Sequence, residues 1–227
     1  MRAPIVVVNF KVYETSSINA LRVAKAIEKV SDEYGIKVII AVPATMIATI
    51  SSQVSLPVFA QHVDGDPVGP HTGSIIPELI KDAGASGTLI NHSERRMRLD
   101  HIADVLERLR LLNLESILCV DRKELVAPAA LMSPDAVLVE PPELIGSGNS
   151  VSRARPEVIT ESIKLVKSNP NVSLIVGAGI TNYDDVSKAF QLGADGVGAA
   201  SAVMKSPSPE KVVGEFLRAV RDQGSRP

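Results

Sequence analysis

Two hydrophobic patterns alternate along the chain. Short runs rich in β-branched and small apolar residues recur at Ile5–Asn9, Lys37–Val42, Val58–Gln61, Gly87–Asn91, Ser116–Val120, Ala136–Glu140, Ser173–Gly177 and Gly196–Ala200, and each predicts a strand. Several of these runs are apolar at successive positions, as expected of parallel strands covered on both faces. Between them the apolar residues fall at helical spacing. Ala20, Val23, Ala24, Ile27 and Val30 form one stripe, and Ile102, Val105, Leu106 and Leu109 form another. Ile159, Ile163 and Val166 repeat the pattern, as do Val212, Val213, Phe216, Leu217 and Val220. The second and third helices leave the faintest trace. Thr181 with Asp184 three residues on, and Ser208-Pro209-Glu210, read as helix starts.

Eight strand–helix units in 227 residues leave about 28 residues each, close to what a strand, a helix and two short loops need. Alternating units of this kind build a parallel sheet. Eight of them predict an α/β fold closed into a (β/α)8 barrel, an eight-stranded parallel barrel with trimmed helices. An open doubly wound sheet would leave extra elements unexplained. No linker or low-complexity stretch divides the chain, so residues 1–227 are expected to form a single domain.

Composition narrows the function. Hydrophobic residues make up 45% and aromatics only 3%, with no Trp, so the core must be aliphatic. The 24 Lys and Arg are balanced by 26 Asp and Glu, which speaks against nucleic acid as a partner. No apolar run approaches the roughly 18 residues of a membrane span. The lone Cys119 can form neither an internal disulfide nor a multi-thiolate metal site, and reads as core. Met1-Arg2-Ala3-Pro4 runs directly into the first strand, so no leader is expected and the location predicted is cytoplasmic. The glycosylation-like triplets at Asn91 and Asn171 then carry no meaning.

Barrel enzymes place their chemistry at the carboxyl ends of the strands. The first strand ends Asn9-Phe10-Lys11, the fourth Asn91-His92-Ser93-Glu94-Arg95-Arg96, and the sixth begins a loop Glu140-Pro141-Pro142-Glu143-Leu144-Ile145-Gly146-Ser147-Gly148. Each residue alone is an ordinary loop residue. Together they set a base, an electrophile and a cation at one rim. The seventh and eighth strands end Gly177-Ala178-Gly179 and Gly198-Ala199-Ala200-Ser201, where small residues let a phosphate approach backbone N–H groups. Residues 141–152 read as a lid, stiff at Pro141-Pro142 and adaptable at Gly146, Ser147 and Gly148.

The set Asn9-x-Lys11, His92-Ser93-Glu94-Arg95 and Glu140-Pro141 resembles the signature positions of the triosephosphate isomerase family, in order and interval along the whole chain. The short length and the form Glu-Pro-Pro-Glu-Leu-Ile-Gly are similar to its archaeal branch. The resemblance implies a TIM barrel that interconverts D-glyceraldehyde 3-phosphate and dihydroxyacetone phosphate through an enediolate, in glycolysis and gluconeogenesis, with no metal or organic cofactor. It implies Glu140 as the base, His92 as the electrophile and Lys11 as the cation that stabilises the oxyanion. Asn9 and Lys11 would hold substrate, and Ile145, Gly146, Gly179, Ala200 and Ser201 would bind its phosphate. Glu94 would be a buried partner of Lys11. The seventh loop departs from the commoner Gly-Gly-Ser form, so a serine contact to phosphate is either missing or supplied by Ser201.

Other signals point elsewhere. His62, Asp64 and Asp66 with His71 have metal-ligand chemistry but lack a calcium-loop pattern, and read better as a projecting third loop. In the family resembled, that loop packs into a neighbouring subunit, which implies a homo-oligomer: a tetramer, with a dimer as the alternative. Gly193-Ala194-Asp195-Gly196-Val197-Gly198 precedes a strand, and so is no dinucleotide fingerprint. His101 is expected to be exposed at a helix start, and Arg95 and Arg96 to pair across an interface or to be solvated. Two further functions remain open on the residues alone. One is a phosphate-binding aldolase or synthase with Lys11 as Schiff-base candidate. The other is a non-catalytic sugar-phosphate sensor.

Overall fold

The computed structural model describes residues 4–146 and 148–224. Met1, Arg2 and Ala3 of the expected N-terminal run-in and Ser147 of the expected lid lie outside them. Eight strands occupy Ile5–Asn9 (β1), Val38–Val42 (β2), Val58–Ala60 (β3), Gly87–Ile90 (β4), Glu115–Val120 (β5), Ala136–Val139 (β6), Ser173–Val176 (β7) and Gly196–Ala199 (β8). All neighbours pair in parallel, and β1 pairs with both β2 and β8, which closes the barrel. The helices are Ala20–Tyr34 (α1), Ile47–Ser51 (α2), Pro77–Asp82 (α3), Leu99–Leu111 (α4), Val126–Leu131 (α5), Val151–Ala154 (α6), Pro156–Val166 (α7), Tyr183–Gln191 (α8), Ser201–Met204 (α9) and Pro209–Gly224 (α10).

The strand alternation sorts the core into two shells. Val6 and Val8 point outward into an aliphatic layer shared with helix stripes such as Val23, Ile27 and Val30. Ile5 and Val7 point inward, beside Ile39, Ala41, Phe59, Leu89, Ile117, Cys119, Leu138 and Ile175, and fill the barrel. Period two on the strands and period 3.6 on the helices thus meet in one continuous packing. Among the described residues Phe59, fully buried, is the only aromatic ring of the inner shell. The rest is aliphatic apart from Cys119, as the composition requires.

Several strands stop one residue earlier than their apolar runs. Asn91, Glu140 and Gly177 leave the strand just where their side chains or backbone are used at the rim. Asn91 turns out with φ +60°, while the Glu140 and Gly177 N–H groups still donate to Val120 O at 2.9 Å and Val139 O at 3.0 Å. The shortening of the chain falls on α2, α3 and α5, of five, six and six residues. Helix α4 keeps thirteen residues and is not trimmed, because its stripe Ile102, Val105, Leu106 and Leu109 is wholly buried. The cap expected at Thr181 falls one residue later. The Asn182 side chain accepts from the Asp185 N–H and caps α8, while Thr181 turns its own N–H and hydroxyl to the Asp185 carboxylate. Helix α10 starts at Pro209, as its sequence signal predicts.

Candidate active site

The carboxyl ends of β1, β4, β6, β7 and β8 surround one small cavity of about 40 Å³, open to solvent on one side. Asn9, Lys11, His92, Glu140, Ile145, Gly146, Gly179, Ala200 and Ser201 all line it, so every site residue expected from the sequence meets at one place. The inner-shell side chains Val7, Leu89 and Leu138 form its floor.

Lys11 sits in a left-handed backbone conformation, φ +49°, which a non-glycine residue adopts only under constraint. Two contacts supply the constraint. The Lys11 N–H donates to Asn9 Oδ1 at 2.9 Å, and the Gln61 amide donates to Lys11 O at 3.0 Å. The same Gln61 nitrogen lies 3.2 Å from both Asn9 Oδ1 and Ala41 O, so the end of β3 fixes the end of β1. Lys11 Nζ reaches Glu94 Oε1 at 2.6 Å. Glu94, however, is 56% exposed rather than buried, because it stands on the rim turn that follows β4.

His92 is buried. Its Nδ1 accepts the Glu94 backbone N–H at 3.1 Å, which assigns the proton to Nε2 in the neutral ring. Nε2 lies 3.2 Å from Glu140 Oε2 and points into the cavity. Asn91 holds this turn in place: its amide donates to Cys119 O at 3.0 Å and its oxygen accepts the Met97 N–H at 3.0 Å.

Glu140 enters from the end of β6. Its Oε1 accepts the Ala178 N–H at 3.3 Å. Gly177 makes room for it, since a Cβ there would stand 2.3 Å from Oε1. Ala178 (φ +75°) and Gly179 (φ +71°) turn the seventh loop over the cavity. A Cβ at Gly179 would meet Asn149 O at 1.9 Å, so only glycine lets the lid lie so close. The lid carries Ile145 and Gly146 to the same cavity, which Ser201 lines as its only serine among the described residues.

Around the site the charges are paired. Buried Asp121, at the end of β5, is gripped by Arg122 at 2.9 Å and Arg96 at 2.6 Å, which together hold its carboxyl far below the usual carboxylate range despite its burial. Arg95 lies 3.5 Å from Asp64. Both arginines are exposed, at 64% and 52%, as expected of a solvated face, and each also forms an ion pair within the chain. Burial lowers the His62 pKa although Asp64 opposes it, and the Ile75 N–H and His62 lower that of Asp64 against its own burial. These groups tie the third loop: Asp64 bonds Ile75 through N–H and carboxylate, and the Ser74 hydroxyl donates to Asp66 at 2.6 Å. His101 is half-buried beneath Gly65, not exposed as its position suggested, because the loop folds back onto α4. Cys119 is buried in the inner shell, where desolvation and the Glu140 charge push its thiol pKa well up.

Sequence reasoning missed Gln61 and Asn91 as supports of the site. The signal was available: both are amides at strand ends, and the ends of the first, fourth, sixth, seventh and eighth runs delivered the site residues.

A family model described as triosephosphate isomerase matches residues 4–218. A triosephosphate isomerase of Sulfolobus acidocaldarius is 58% identical over 219 residues, covering 96% of this chain and 95% of that protein. One from Metallosphaera sedula is 59% identical over 218 residues, covering 96% of each. A crystal structure of triosephosphate isomerase from Bartonella henselae shares the fold over the whole of both chains, with a TM-score of 0.73 at 19% identity. The match to the family along nearly its whole length, and relatives more than half identical to it, mean that this chain belongs to the triosephosphate isomerase family.

Proposed function

We propose that Glu140, His92 and Lys11 carry out the interconversion of D-glyceraldehyde 3-phosphate and dihydroxyacetone phosphate in this chain. The observation that carries the proposal is the His92 turn: Nδ1 is occupied by a backbone N–H, so Nε2–H is left to donate into the cavity beside Glu140. With substrate bound, its carbonyl oxygen replaces Glu140 Oε2 as the acceptor of that N–H. The Glu140 carboxylate takes a proton from the carbon next to the carbonyl. The electron pair moves onto oxygen, where the Nε2–H and the Lys11 ammonium stabilise the enediolate. Return of the proton from Glu140 to the neighbouring carbon completes an isomerisation with no net redox change. Asn9 positions Lys11. Backbone N–H groups around Ile145, Gly146, Gly179, Ala200 and Ser201 grip the phosphate, and the Ser201 hydroxyl stands in for the serine the seventh loop lacks.

Glu140→Gln and His92→Gln should each lower turnover by about two to four orders of magnitude in a coupled assay run in EDTA, with circular dichroism unchanged. Full activity in both would overturn the assignment. Borohydride with dihydroxyacetone phosphate should leave Lys11 unmodified, whereas a trapped adduct would favour the aldolase. Tight binding without turnover would favour the sensor.

The proposal extends to organisation. Residues 1–227 act as one domain, and the chain assembles as a homotetramer, or failing that a dimer. Exposed apolar residues on the rim loops, Val12, Ile18 and Val68, support assembly. The site of action is the cytoplasm, where glycolysis and gluconeogenesis exchange these trioses, and cell fractionation checks it. No described helix is long and apolar enough to cross a membrane.

A further inference from the structure

Asp185 is fully buried, stands outside the cavity, and has no part in the proton transfer just described. It sits in the first turn of α8. One carboxylate oxygen, Oδ2, accepts the Thr181 N–H at 2.9 Å and the Thr181 hydroxyl at 2.8 Å, which fixes the end of the seventh loop. The other, Oδ1, has no aligned hydrogen bond. It lies 2.7 Å from Arg153 Nε, so its charge is met by an ion-pair contact alone. Arg153 stands in α6, where the lid ends, and its Nε also donates to Ser150 Oγ at 3.2 Å. Ser152 Oγ donates to Asp185 O at 3.0 Å, and the Val151 N–H donates to Ala178 O at 3.1 Å. Consecutive residues of the lid stem are thus fastened either to Asp185 or to the seventh loop that Asp185 fastens.

We propose that Asp185 and Arg153 are positioning residues for the isomerisation: a buried clasp that holds the stem of the lid on the seventh loop. Its effect is to keep Ile145 and Gly146 on one side and Gly179 on the other at the spacing a phosphate requires. A carboxylate suits this task. It accepts from Thr181 on one oxygen and presents the other as a charge to the lid stem, where a neutral side chain of the same shape would offer only a weak dipole. An uncompensated carboxylate in this position is costly, so the Arg153 contact is favoured whenever the stem is seated. The clasp acts on the phosphate grip and leaves Glu140, His92 and Lys11 untouched. The inference rests on the isomerase reading above.

The two substrates that separate grip from chemistry are glyceraldehyde 3-phosphate and glyceraldehyde itself, which has the reacting carbons but no phosphate. Arg153 is half-exposed, so Arg153→Ala should fold. It is expected to lower kcat/KM for the triose phosphate about tenfold, mainly through KM, while the slow isomerisation of glyceraldehyde stays at the wild-type rate. Asp185→Asn, which keeps an acceptor for Thr181 but loses the charge, should reproduce that pattern, and Arg153→Lys should restore most of it. Equal losses on both substrates, or no loss on either, would overturn the clasp. Wild-type protein inactive on both would instead sink the isomerase reading and the clasp with it.

Discussion

At the scale of single residues the site is made by side chains that are absent as much as by those present. Glu140 occupies the space a side chain at Gly177 would fill. Because the clash would fall on the flexible Glu140 side chain, from Cγ to Oε1, and on no backbone atom among the nearest contacts, Gly177→Ala should leave the barrel intact and push the proposed base aside. A displacement near 1 Å costs about a hundredfold in rate, so kcat should fall by about that factor, with KM and melting temperature little changed. Steady-state kinetics beside thermal melts would check it, and wild-type kcat would show that the carboxylate is not held by this gap. The same scale shows why the three side chains proposed to react were readable and their supports were not. Lys11, His92 and Glu140 are titratable side chains that follow apolar runs at predictable strand ends. Gln61 acts through three carbonyl or amide oxygens gathered from β1, the first loop and β2, and nothing in its local sequence records that meeting.

At the scale of elements, the strands were legible because both shells of the core demand apolar residues from them, and their ends were not, because rim residues leave the ladder to serve the cavity. Helices with a full stripe, such as α1 and α10, announced themselves. Helices α2 and α3 are barely more than one turn, too short to show a period. The surroundings of His101 were misjudged for a related reason: its contact joins α4 to the loop that follows a different strand, β3. The third loop is the element with the clearest unfinished business. Its base is locked by the Asp64–Ile75 and Ser74–Asp66 bonds, yet Val68 at its tip is 72% exposed. An apolar residue held outward on a fastened loop fits a contact with a second copy of the chain. Val68→Asp would place a charge in that contact and should shift sedimentation toward the single chain at micromolar concentration. An unchanged assembly would remove the third loop from the seam, and a wild-type monomer would remove the oligomer.

At the scale of the whole molecule the barrel is closed, so no strand edge is left to peel away. Cys119 faces inward from β5, 2% exposed, with its thiol held protonated by burial and by the charge of Glu140. A reagent meets that sulfur as thiolate only after the eight-stranded wall has parted. Labelling of the native protein should therefore follow the global opening equilibrium, accelerating with denaturant along the same slope as unfolding itself. Modification within seconds, insensitive to denaturant, would reveal a local breach beside the site. The one sulfhydryl of the chain is in this respect a built-in clock: the time it takes to react measures how long the enzyme keeps its barrel shut.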